Sequence, residues 1–134
     1  MKKSELIKKN IENIKKEILS NYEYVLNHDG AVEIQIYMWD DGEIVTHEEV
    51  QGGSSYLVET ESATRTLFYV YTVSEPFCNV FDLAGYPSPV PDDEKEREEA
   101  EKECISWLVD SYKDNLQDIV SDIIDEAKEE EKLL

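Results

Sequence analysis

At 134 residues the chain has the size of a single domain, 1–134, and its 40% hydrophobic and 10% aromatic content supplies a core, which excludes a disordered acidic tail. Thirty-two Asp and Glu against thirteen Lys and Arg leave a formal net charge of −19, so free nucleic acid and anionic membranes are excluded as direct partners and basic surfaces are favoured. No apolar run approaches the roughly 20 residues that cross a bilayer, and no continuous apolar region follows Met1–Leu6 as a signal peptide requires, so a cytoplasmic location is expected.

Residues 4–26 read as an amphipathic helix. Ile7, Ile11, Ile14, Ile18, Tyr22 and Val25 recur at three- and four-residue steps on one face, Ser4 is the expected N-cap, and Asn27-His28-Asp29-Gly30 is a stop signal. This helix and the residues just before it carry Lys2, Lys3, Lys8, Lys9, Lys15 and Lys16, six of the thirteen bases.

A run of strands follows. Val32, Ile34, Ile36 and Met38 alternate with Glu33, Gln35, Tyr37 and Trp39, Asp40-Asp41-Gly42 reads as a hairpin turn, and Glu43–Val50 as the return strand. Tyr56–Thr60 reads as a third strand. Thr66–Val73 is the strongest strand signal and is apolar on both faces, which predicts a central position in an antiparallel meander.

Pro76, Gly85, Pro87, Pro89 and Pro91 exclude long elements over 74–91, where a short strand near Asn79–Asp82 fits and Phe77, Val80, Phe81, Leu83 and Tyr86 are expected to fold back over the core. From Pro91 the chain turns helical. Its apolar stripe runs through Ala100, Cys104, Leu108, Tyr112, Leu116, Ile119, Ile123 and Ala127, as one long helix or as two broken around Ser111–Asn115. The expected class is α+β: an N-terminal helix, an antiparallel sheet of three to five strands, and one or two C-terminal helices.

Catalytic and metal signatures are missing from the sequence. There is no GxSxG, Gly-rich phosphate loop or HExxH, and both Gly30 and Gly42 follow the wrong residues for a calcium loop. His47-Glu48-Glu49 is the best local cluster, but neighbours on a strand point to opposite faces and cannot all hold one ion. Cys78 and Cys104 lack ligand spacing and are expected to be reduced, largely buried thiols. The expectation is therefore no enzyme, no cofactor and no metal.

Charge placement is the functional signal. Between Glu17 and Glu94 there are sixteen acids and one base, Arg65. Alternate residues of a strand lie about 6.6 Å apart and adjacent strands about 4.8 Å. Carboxylates on two strands can thus approach the density of a nucleic-acid backbone, about one phosphate per 3.4 Å on each strand. The candidate partner-binding residues are Glu33, Asp40, Asp41, Glu43, Glu48, Glu49, Glu59 and Glu61, with Tyr37 and Trp39 as aromatic anchors on the face of Glu33. Reversing Glu33, Asp41 and Glu43 to Lys is expected to weaken binding mainly through the on-rate. The run Asp92–Glu103 is either a second edge of this surface or a solvated helix face with pairs such as Glu98–Lys102.

In element order and in the acidic stretches Glu33–Glu61 and Asp92–Glu103, the chain resembles small inhibitors carried by phages and mobile elements, of the anti-CRISPR and antirestriction type. The resemblance implies a nucleic-acid mimic that occupies a DNA- or PAM-binding cleft of a bacterial nuclease complex, with no catalytic residues. With the net charge, the expected partner is a basic nucleic-acid-binding protein or nuclease, and the sequence leaves a monomer or a homodimer open. Two alternatives stand beside it: an immunity protein for a toxin nuclease, and an interaction module that dimerises through an excess of the apolar stripe Cys104–Ala127.

Overall fold

A computed structural model describes residues 2–50, 66–77, 79–87 and 89–133, with backbone alone for 48–50. The elements in order are α1 (Lys3–Lys9), α2 (Ile11–Asn27), β1 (Val32–Trp39), β2 (Ile44–Val50), β3 (Leu67–Val73), α3 (Val80–Ala84), α4 (Glu94–Lys113) and α5 (Leu116–Lys132). The class is α+β.

The N-terminal helix is divided at Asn10. Its side chain turns back to donate from Nδ2 to the Leu6 carbonyl at 2.9 Å, and its backbone N–H bonds Ile7 instead of continuing the ladder. Asn readily makes such local bonds, which compete with the helix. Ser4 is not the N-cap; Lys2 holds that position, and Ser4 lies buried inside α1. The cap comes from the other end of the chain. Glu131 of α5 accepts from the Ser4 backbone N–H at 3.0 Å and from its hydroxyl at 3.1 Å, satisfying donors that a helix start leaves open. α2 ends as the sequence indicates: Gly30 has φ +68° and returns its N–H to the Val25 carbonyl. A Cβ at Gly30 would collide with the Glu75 carbonyl, so glycine is required by space as well as by conformation.

The described sheet has the order β2-β1-β3, and both pairings are antiparallel. β1 is therefore the central strand, and β3, the strongest strand signal, lies beside it at the edge of the described sheet. Its two-sided apolarity has a local cause. The register slips between Ile36 and Tyr37, so Val70 is an extra residue opposite β1. The bulge resets the alternation, leaving Val70 and Val73 buried, Phe68 and Tyr71 half-buried and Tyr69 exposed. The expected strand Tyr56–Thr60 lies outside the described residues.

The expected strand near Asn79–Asp82 is instead the start of helix α3, with Asn79 as its extended N-cap residue. The Asn79 side chain accepts from the Asp82 N–H at 2.9 Å as an N-cap, and Gly85 at φ +68° closes the turn with Tyr86 N–H bonded to the Phe81 carbonyl. Two capping residues around five therefore override a weak strand signal. As expected, Val80 and Phe81 are buried, while Phe77, Leu83 and Tyr86 pack against the core.

The C-terminal stripe forms two helices that part at Asp114 and Asn115. Asp93 caps α4 by accepting from Glu96 N–H at 3.1 Å. α2 is the hub of the fold, touching β1, β3, α4 and α5, while α1 packs on α5. Ile14, Ile18, Val25 and Leu26 of α2 are fully buried against Ile36 and Met38 of the sheet and Val120 of α5 within one core cluster.

Candidate protein-docking surface

The outer face of the described sheet is more aromatic than acidic. Glu33 is exposed at its start, and the backbone register sets position 49 across from it. Tyr37 is half-buried, donates to Gln35 Oε1 at 2.8 Å and meets Tyr69 edge-on with ring centroids 5.7 Å apart. Trp39 does not join this surface. It is only 7% exposed, and its cross-strand neighbour on the same face is the half-buried Leu67. The indole therefore belongs to the packed end of the sheet, although alternation alone puts it on the outer face.

The hairpin acids serve the backbone. Asp40 Oδ2 accepts from the Thr66 N–H at 3.1 Å, while its own N–H bonds the Thr66 carbonyl, so this residue ties the hairpin to the start of β3. Asp41 Oδ1 accepts from Glu43 N–H at 2.9 Å, closing an Asx-type turn. Glu43 is exposed beside them. Glu48 and Glu49 are described by backbone only, with Glu48 in register with Ile34, and Glu59 and Glu61 lie outside the described residues.

Acidity concentrates on the C-terminal helices. Seventeen of the thirty-two acids fall between Asp92 and Glu131. On α5, Asp118, Asp122, Asp125, Glu126, Glu129 and Glu130 are all exposed. At 100° per residue the first five share an arc of about 100° on one side of the helix, away from buried Leu116, Val120, Ile123 and Ala127, while Glu130 lies at the border beside Ile123. Glu129 pairs with Lys132 at 3.2 Å and Glu130 with Lys3 at 3.3 Å. Asp118, Asp122, Asp125 and Glu126 have no ion pair among the described residues. On α4, Glu96, Glu99, Glu103, Trp107 and Asp110 are likewise exposed, and no ion pair forms on this helix among the described residues, so the Glu98–Lys102 pair is not made. Arg97 turns instead to the Pro91 and Asp92 carbonyls.

The basic N-terminal lysines are partly absorbed by this surface. Lys3 reaches Glu130, and Lys15 donates to Gln117 at 2.7 Å and lies 3.9 Å from Glu12. The sequence sets Trp107 beside the apolar stripe with Val120 and Ile124, but it is exposed whereas Val120 is buried; its place in the recurrence Glu96-Glu99-Glu103-Trp107-Asp110 is the signal for the outer face of α4. The acids of α5 are the residues that a reading centred on the strands passes over.

Titration separates structural groups from surface ones. The Glu131 carboxyl is lowered by its two bonds from Ser4. Burial, with Glu75 nearby and hydrogen-bonded, pushes the Tyr22 hydroxyl up to about 12. Burial and a bond with Tyr71 push Tyr112 well above the usual phenol range, and its ring stacks on that of Tyr22 with centroids 3.8 Å apart. Burial, then Glu103 and Glu101, raise the Cys104 thiol, which disfavours the thiolate a nucleophile would need. Among the described residues no group of three His, Cys, Asp or Glu side chains is arranged to hold a metal, and no helix is long and apolar enough to cross a membrane.

Comparison with protein-family models, curated proteins and solved structures returned no match.

Proposed function

We propose that this protein is a non-catalytic acidic inhibitor that binds a basic nucleic-acid-handling protein, such as a CRISPR nuclease complex, and covers its phosphate-binding surface. The observation that carries the reading is the outer face of α5. Four exposed carboxylates with no ion pair among the described residues occur between Asp118 and Glu126. At 1.5 Å per residue that interval is about 12 Å, or about one charge per 3 Å, close to the roughly 3.4 Å per phosphate of one nucleic-acid strand. A helix packed on α1 and α2 holds these charges without the ordering cost that a flexible acidic tail incurs.

The rival dimerisation module needs apolar surface to spare on the C-terminal stripe. Within this chain Cys104, Leu108, Leu116, Val120, Ile123 and Ala127 are already buried, which favours the acidic outer faces as the contact surface.

The test is capture from bacterial lysate on the immobilised protein, with elution first in salt steps and then with duplex DNA. Release of a nuclease or other DNA-binding protein by duplex is the expected result. Release of a toxin nuclease that is inhibited one-to-one would point to the immunity-protein alternative. Recovery of salt-indifferent partners alone would count against mimicry.

A further inference from the structure

Trp107 is the most exposed aromatic side chain among the described residues, at 57%. An exposed indole offers a rigid apolar face for contact, and tryptophan is among the residue types enriched at interface anchors. Its surroundings narrow what would cover it. Glu96, Glu99, Glu103 and Asp110 follow the same face of α4 within an arc of about 80°. On one flank the indole borders a groove of about 190 Å³ between the end of α3 (residues 84–87) and Glu103 and Cys104 of α4. Tyr86 and Pro87 give its lining apolar surface, and Glu103 is the one acid among its lining residues.

Few occupants satisfy such a site. A wholly apolar side chain would cover the indole but strip water from Glu103 with nothing to pair it. A second copy of this chain would press four carboxylates against their own counterparts. A lysine brings the right sign, but its ammonium is compact and strongly hydrated. An arginine meets all three features: its methylene stem lies along apolar surface, its planar guanidinium stacks on the indole, and its N–H groups reach carboxylates.

We propose that the Trp107 face of α4 takes an arginine side chain from a basic protein segment, with the guanidinium over the indole and between Glu103 and Asp110. This names the partner chemistry for the inhibitor reading above and rests on it. The acidic row attracts the basic segment; Trp107 selects arginine within it.

The experiment titrates the full-length protein with two peptides of equal charge, hexa-arginine and hexa-lysine. The indole N–H signals of Trp107 and Trp39 are followed by NMR and assigned with Trp107→Phe. The expected result is a shift of the Trp107 signal with hexa-arginine, little change at Trp39, and about fivefold tighter binding of arginine than of lysine. Trp107→Ala should erase that preference and leave hexa-lysine affinity within about twofold, whereas Trp107→Tyr should retain part of it. Trp107 is exposed, so an unchanged melting curve is expected for each variant and confirms that it folds. Equal affinity for the two peptides, or an arginine preference that survives Trp107→Ala, would overturn the proposal. So would a concentration-dependent dimer that Trp107→Ala dissolves. No cellular partner enters this assay. A negative result removes the arginine site and leaves the inhibitor reading to the duplex competition, whereas failure of that competition alone would leave the peptide preference standing.

Discussion

The hairpin between β1 and β2 and the outer faces of α4 and α5 are both acidic, and they use their carboxylates differently. At the hairpin, Asp40 and Asp41 accept backbone N–H groups of Thr66 and Glu43, so their charge is partly spent on holding the turn and the strand beside it. On α5, Asp118, Asp122, Asp125 and Glu126 accept no hydrogen bond and form no ion pair among the described residues. Carboxylates without structural partners contribute mutual repulsion to the fold and field to the surroundings. A count of acids treats the two regions alike. Only the hydrogen-bond partners separate an acid that shapes the chain from one that is free to meet another protein.

That contrast breaks most directly under charge reversal. Changing Asp118, Asp122, Asp125 and Glu126 together to Lys should weaken binding to a captured basic partner about a hundredfold, mostly in the on-rate, since steering supplies factors of roughly 10 to 10³. The same variant should be as stable as the parent or more so. Reversal of Glu33, Asp41 and Glu43 should cost less in affinity, about tenfold at most, and should lower the melting temperature because the Asp41 turn is lost. Surface plasmon resonance at two salt concentrations checks both; equal affinity losses for the two sets would erase the distinction between the regions.

A smaller effect concerns the buried tyrosines, where the polar group serves the core alone. The Tyr22 hydroxyl titrates near 12 in the folded chain against 10.0 for an ordinary tyrosine. The folded state therefore holds its proton more tightly than the unfolded state. Stability is fully present below pH 10 and declines as the pH rises through the interval up to about 12. Denaturant titrations across that range should show the decline, and Tyr22→Phe should make it shallower, with Tyr112 supplying the remainder. A parent curve as flat as that of the variant would remove Tyr22 from the account.

Next in size are the capping acids. Asp93→Ala removes the acceptor for Glu96 N–H at the start of α4, and Asp40→Ala removes the acceptor for Thr66 N–H. Each should cost about 1 kcal/mol in chemical denaturation, with partner affinity nearly unchanged. An affinity loss matching that of the α5 reversal would place these acids in the interface instead.

The smallest effect is expected at Glu131. Its carboxyl is lowered below 4.5 by the backbone and hydroxyl bonds from Ser4. The contribution is present above the unfolded value and is lost as the pH falls through the folded one. Glu131→Gln should melt slightly below the parent at neutral pH, and the gap should close on acidification. A gap that persists in acid would mean that packing, not the charged bond, is what the substitution removes.

Much of this organisation is legible in the sequence because it is periodic. The spacing from Ile7 to Val25 places those residues in the core, the alternation from Val32 to Met38 gives β1 its inner face, and Asn27–Gly30 ends α2. These patterns survive folding because each element has one face that must leave water. Trp39 fails the same rule. At a strand end, burial depends on what packs beside it, and alternation carries no information about that neighbour.

The sequence by itself determined the class, the core-facing residues and the net charge of −19, since all three depend on composition and local period. Only the tertiary structure decided that β1 is central among the described strands, that Glu131 caps a helix 127 positions away from it, and that Asp118, Asp122, Asp125 and Glu126 of α5 stand clear of ion-pair partners among the described residues while Asp40 and Asp41 of the hairpin are engaged. The physical reason is range. Helical and strand periods are set by neighbours a few residues apart, whereas a carboxylate's role is set by whichever donor the folded chain brings to it.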